Sequence, residues 1–166
     1  MNTFSKKLLV FLIAPAILFS FTSLPDKANF SGEWKLNEGK SDLGQFAPFA
    51  PRTIKVEQKA DSIAITKTSP SFNGDMVTIT ETLPFDGKEI ENTVFGNSKR
   101  KASGKWSDDG QAFTISYDIM LDFNGQTTEI KGTEAWVLAD GGKTLVSQNN
   151  YSSSFGDNNA KGVYEK

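Results

Sequence analysis

The sequence predicts an all-β protein, an antiparallel up-and-down β-barrel of about eight to ten strands with a short lid segment after the first strand. Three observations predict it. Alternation of apolar and polar residues with a period of two recurs from residue 29 onward. Turn-forming residues break that alternation at short intervals. No stretch of helical periodicity separates any two strands, so there is no crossover of the kind a parallel sheet needs. Successive strands should therefore pair as hairpins. A meander of hairpins leaves two exposed edges unless it closes on itself, and closure gives a barrel. A two-sheet sandwich is the alternative, but it needs Greek-key crossings that evenly spaced hairpins do not demand.

The strands follow in order. Asn29 to Asn37 is the first. Thr53 to Lys59 sets Ile54 and Val56 on one face and Lys55, Glu57 and Lys59 on the other. Ala60-Asp61 turns into Ser62 to Ser69, with Ile63 and Ile65. In Asp75 to Phe85, residues Val77, Ile79 and Leu83 share a face. Asp86-Gly87 is a hairpin signal, and Lys88 to Phe95 returns. Gly96-Asn97 leads into Lys99 to Ser107, and Asp108-Asp109-Gly110 into Gln111 to Phe123. That strand carries an unbroken odd-numbered face of Phe113, Ile115, Tyr117, Ile119, Leu121 and Phe123. Asn124-Gly125 is the clearest two-residue hairpin signal in the chain. Gln126 to Ala139 pairs back, Asp140-Gly141-Gly142 turns, and Lys143 to Ser152 and Gly162 to Lys166 complete the series.

Two segments stand apart. Lys6 and Lys7 precede an apolar run from Leu8 to Phe21, followed by Thr22 and Ser23. A basic head, an apolar stretch and small residues read as a signal peptide over residues 1–24, with Ser20-Phe21-Thr22 a candidate cleavage site. The run is shorter than the roughly 20 residues of a spanning helix, and Pro15 interrupts it. The expectation is a protein secreted or delivered to the periplasm, not membrane-spanning after cleavage, with residues 25–166 as one domain. Glu38 to Arg52 holds Gly39, Gly44, Pro48 and Pro51 together with Leu43, Phe46 and Phe49. Its prolines forbid a long helix. Its apolar residues serve either a lid over the barrel mouth or a plug for the end of the core.

Composition excludes many functions. The 166 residues include neither His nor Cys. That removes disulfides, Cys-ligated zinc, iron–sulfur clusters, thiol nucleophiles, Ser-His-Asp chemistry and His-ligated haem. Loss of Lys6 and Lys7 leaves 16 basic residues against 20 acidic, which argues against a nucleic-acid partner. No phosphate-binding glycine loop is present. Asp157 to Gly162 opens like a calcium loop, but Lys161 stands at a ligand position. The carboxylates Glu81, Glu89, Glu91, Asp118, Asp122 and Glu134 show no spacing that selects an acid–base pair. The reading is therefore not an enzyme, with no cofactor.

Phe30-Ser31-Gly32-Glu33-Trp34-Lys35-Leu36 resembles the opening strand of the calycins, the group of lipocalins and fatty-acid-binding proteins. Asn37 to Asp42 is similar to bacterial exported lipocalin-like proteins of unassigned role. The resemblance implies that Trp34 packs across the closed end of the barrel, with Gly32 letting the strand bend there. Val163-Tyr164-Glu165-Lys166 is similar to the last strand of fatty-acid-binding proteins, whose Arg-x-Tyr grips a carboxylate. Tyr164 keeps the Tyr position, while Gly162 stands at the Arg position.

The candidate binding residues are aromatic and basic. Phe113, Trp106, Tyr117, Phe123, Trp136 and Tyr151 can line an interior, either as a solid core or around a guest. If Leu145 faces inward, so do Ser147, Asn149 and Tyr151, and Thr78, Thr80 and Thr82 make a second polar face. Polar lining favours a cavity. Tyr117, Tyr151 or Tyr164 would orient the polar end of a ligand, with Phe46 and Phe49 from the lid. Of the two arginines, Arg52 ends the lid and is placed to face the mouth, while Lys99-Arg100-Lys101 reads as a charged strand start that discourages edge pairing. The predicted partner is a small hydrophobic or amphipathic molecule. The alternative is a non-catalytic interaction protein, a filled barrel with a cavity below about 100 Å³ that uses its loops on a partner, the long polar Asn149 to Lys161 read as one such loop. An outer-membrane barrel fits poorly, because outward faces carry Lys55, Glu57, Lys59, Asp118 and Asp122.

Overall fold

The computed structural model describes residues 26–71, 73–94, 96–123, 126–154 and 156–166, and the backbone alone at residue 123. The expected signal segment, the Asn124-Gly125 turn and Phe155 lie outside the described residues. Ten strands form one antiparallel sheet: β1 (Gly32–Leu36), β2 (Thr53–Gln58), β3 (Ser62–Pro70), β4 (Met76–Pro84), β5 (Ile90–Thr93), β6 (Lys99–Trp106), β7 (Ala112–Phe123), β8 (Gln126–Ala139), β9 (Thr144–Ser153) and β10 (Gly156–Glu165). The order is β4-β3-β2-β1-β10-β9-β8-β7-β6-β5, so every sequence neighbour pairs except β4 with β5, and β1 joins β10. The meander curls into a nearly closed barrel with one seam, between β4 and β5.

Strand alternation sets the inside. On β7, Phe113, Ile115, Tyr117 and Leu121 are buried, while Ser116 and Met120 are exposed between them. On β2 and β3, Ile54, Val56, Ile63 and Ile65 are buried. One end of the barrel is packed solid. Trp34 and Trp136 are fully buried, and the Trp34 indole N–H donates to the Phe30 carbonyl at 2.8 Å. Phe30 stacks on Trp106 at 5.7 Å between ring centroids and meets Trp136 edge-on at 5.8 Å. Trp106 and Phe113 lie 5.0 Å apart. Each such pair contributes about 0.5–1.5 kcal/mol beyond its area burial. Two strand glycines make the room. A Cβ at Gly104 would stand 2.3 Å from Phe113 Cζ, and one at Gly132 would stand 2.6 Å from the Tyr117 ring.

Three readings of the chain change. The segment Asn149 to Lys161 is not a loop: β9 and β10 pair through it, from Thr144 opposite Glu165 to Ser153 opposite Gly156. Its inward residues are polar, so the apolar alternation that marks a strand was missing there. Thr78, Thr80 and Thr82 point outward, as exposed side chains, and Thr66–Thr80 and Thr68–Thr78 hydroxyl pairs at 2.9 Å run across the outer surface. Arg100 is not part of a solvated strand start. It shares the inward face of β6 with Ala102 and Gly104, and its side chain is 11% exposed.

Gly104→Ala is expected to lower stability by about 1–3 kcal/mol, the cost of overpacking beside a ring that cannot move. Urea unfolding measures it; an unchanged midpoint would place Phe113 elsewhere.

Candidate functional site

Above the packed end the barrel holds a cavity of 460 Å³. Its walls are apolar: Ile65 and Ile79 on β3 and β4, Ile119 and Leu121 on β7, Ile130 on β8. Each occupies the inward parity of its strand, in line with the core residues below. The volume falls within the several hundred Å³ usual for ligand pockets and well above that of a filled barrel.

The segment between β1 and β2 covers the mouth. Its first half is fastened to β10. The Asp42 N–H donates to the Lys161 carbonyl at 2.9 Å, the Lys161 N–H returns to Asp42 O at 2.6 Å, and the Val163 N–H donates to Ser41 Oγ at 2.9 Å. Lys40 pairs with Glu165 at 2.7 Å. The second half forms a 3-10 turn at Gly44–Phe46, and Phe46, Phe49 and Pro51 border the cavity. Phe46 meets Tyr151 edge-on at 6.2 Å. Leu43 is buried beneath them. The segment thus divides its work: Leu43 plugs, and the two phenylalanines roof.

The floor is charged. Lys67 on β3 reaches across the lumen to form an ion pair with Glu134 on β8, on the opposite wall. Glu134 Oε1 also accepts from Trp136 Nε1 at 2.8 Å and from Ser147 Oγ at 2.9 Å. Burial by itself would raise the Glu134 carboxyl. Lys67, the Trp136 indole and the charge of Arg100 outweigh burial and hold it below its ordinary 4.5. Arg100 on β6 pairs with Glu81 on β4, tying the two sides of the seam together, and its guanidinium lies 4.7 Å from the centre of the Tyr117 ring. The Tyr117 hydroxyl donates to Asn149 Oδ1 at 2.7 Å, and Asn158 Nδ2 donates to the Tyr151 hydroxyl at 2.8 Å. Tyr117 is raised above the usual tyrosine range, by burial first and by Glu134 second, so it remains a proton donor.

The residues singled out from sequence separate into three groups. Tyr117, Tyr151, Phe46 and Phe49 border the cavity. Phe113 and Trp106 belong to the packed end with Trp34, away from it. Tyr164 is buried beside a small separate void of 30 Å³ between the covering segment and the floor, which Leu43, Phe46, Lys67 and Glu134 also border. Its ring covers Gly162, whose Cβ would stand 2.6 Å from Tyr164 Cε2, so no arginine fits at that position. Arg52 turns to the surface and pairs with Glu38 at 2.7 Å; the guanidinium in the cavity is that of Arg100. Lys67, Glu81, Arg100 and Glu134 were missed as a set. The available signal was a charge standing where alternation calls for an apolar residue: Lys67 continues Ile63 and Ile65, and Glu81 sits between Ile79 and Leu83.

A second depression, on the outside of β7–β10, is lined by solvated side chains such as Ser116, Asp118, Lys131 and Thr133. It is open to solvent and holds no buried charge, so the enclosed interior chamber is the candidate site.

No protein-family model matches the chain, and no curated protein matches it. Solved structures do. Zebrafish ileal bile acid-binding protein complexed with cholic acid superimposes with a TM-score of 0.51 at 20% identity, over 82% of this chain and 98% of that one. A point variant of the fluorescent protein UnaG superimposes with a TM-score of 0.51 at 18% identity, over 82% of this chain and 95% of that one. The barrel has the calycin fold, as the Gly32-x-Trp34 strand suggested. At these identities the likeness is one of fold.

Removing Glu134 leaves Lys67 without its counter-charge in the barrel. Glu134→Ala is expected to cost about 3–5 kcal/mol in chemical unfolding. Because the folded carboxyl titrates below its unfolded value of 4.5, its stabilising contribution is complete above pH 4.5 and lost as the pH falls through the folded value. The acid slope of the unfolding midpoint should be shallower in Glu134→Gln than in the unaltered protein; equal slopes would contradict the pair.

Proposed function

We propose that the protein is an exported, non-catalytic carrier that holds one small apolar or amphipathic molecule inside its barrel. The observation that carries this reading is the 460 Å³ chamber with apolar walls, a buried polar floor and a roof of Phe46 and Phe49. Transfer of apolar ligand surface from water to those walls supplies the affinity, about 25 cal/mol per Å² before the costs of association. The floor orients the polar end: Tyr117, Asn149 and Tyr151 present hydrogen-bonding groups to the chamber. Glu81 and Glu134 are each held by a cation, an arrangement that suits them to fixing a guest rather than moving protons. Export is supported by Lys6, Lys7 and the Leu8–Phe21 run.

Native mass spectrometry of freshly purified protein should detect a bound small molecule or, once it is stripped, stoichiometric uptake of an uncharged fluorescent dye such as Nile red. Neither bound molecule nor dye uptake would refute the carrier reading. Phe46→Ala with Phe49→Ala should speed dye release by about three- to tenfold, because both rings border the exit and mutations within one site act mainly on dissociation. The export claim is checked separately. Protein recovered from the periplasm or the medium should begin near residue 25, and an intact Met1 in a soluble cell extract would contradict it.

A further inference from the structure

Every buried charge around the chamber is matched. Lys67 meets Glu134 and Arg100 meets Glu81, with side chains 20%, 8%, 11% and 8% exposed respectively. Among the described residues the one other charged side chain on the chamber is Asp157, at its exposed rim and acidic. An anionic head group lowered onto Arg100 or Lys67 would displace a glutamate and leave that carboxylate desolvated without a partner, which disfavours it.

The hydrogen-bonding capacity of the chamber has the opposite bias. Arg100 has five N–H donors, and among the described residues one of them is used, on Glu81. Asn149 gives its carbonyl oxygen to Tyr117, and its amide N–H groups have no partner among the described residues. Tyr151 accepts from Asn158 and retains its own O–H to donate. These donors stand in a chamber that carries no unmatched positive charge among the described residues. A neutral oxygen acceptor can use those donors without disturbing either ion pair.

We infer that the ligand's polar end is uncharged and acceptor-rich, an ester, amide or ketone carbonyl on an apolar body, and that the matching carboxylate is rejected at neutral pH. The inference rests on the carrier reading and refines it.

Competition on the unaltered protein tests it. Nile red, itself uncharged, is displaced at pH 7 by methyl dodecanoate, dodecanamide or dodecanoic acid. The ester and amide should compete at concentrations at least about tenfold lower than the acid, given the cost of uncoupling a buried pair. An acid that competes as well as the ester, or better, overturns the inference and leaves the carrier reading standing. Failure of the dye itself to bind overturns the carrier reading instead. Glu81→Gln releases the charge of Arg100. It should improve competition by the acid relative to that by the ester at least about tenfold. A folded Glu81→Gln protein that still rejects the acid would also overturn the inference. The acid-to-ester ratio on the unaltered protein is decisive whether or not the variant folds.

Discussion

Lys67 and Glu134 stand on opposite walls of the barrel and meet in the middle. A pair spanning the lumen cannot be reached by packing alone, so the interior is split in two. Below it, Trp34, Trp136, Phe113 and Ile54 fill the space completely. Above it, the side chains are too short to touch across the gap, and a chamber remains. The Trp136 indole and the Ser147 hydroxyl fix Glu134 from below, so the floor is rigid where it meets the core. A buried ion pair gains little net stability over an apolar replacement. Its value here is geometric: it stops the core from filling the barrel.

The seam follows the same logic. A sheet that stops one ladder short of closure leaves an edge on each side. The Arg100–Glu81 pair joins β6 to β4 across that gap and lines the chamber. One contact therefore holds the barrel together and shapes its interior. With the Lys67–Glu134 pair it bounds the chamber, and on the reading proposed above the two pairs set the kind of head group admitted.

Much of this was legible in the residues. From Phe113 to Leu121 the odd-numbered face of β7 gave its inward side directly, because every inward position there except the buried tyrosine is a plain hydrocarbon or phenyl group. Gly32-x-Trp34 gave the opening of the barrel. What escaped was the polar interior. Asn149, Tyr151 and Asn158 line the chamber, and a strand with polar inward residues lacks the apolar alternation by which strands are recognised, so the first half of β10 looked like a loop. Arg100 was hidden by Lys99 and Lys101, which are solvent-exposed on either side of it; only the parity of Ala102 and Gly104 marks the arginine as inward. Arg52 had the right chemistry at the right end of the barrel, yet its neighbour Glu38 takes it to the surface.

The central claim is that a guest sits on the Lys67–Glu134 floor. Two-dimensional nitrogen–proton NMR, recorded while Nile red is added, reads this most directly. The Trp136 indole N–H, which donates to Glu134, should shift with saturable dependence on dye, and the amides of Ile119 and Ile130 should shift with it. The outward residues Thr66 and Thr80 should stay in place. Shifts confined to Ser116, Asp118, Lys131 and Thr133 on the outer surface, with the Trp136 indole unmoved, would contradict the account.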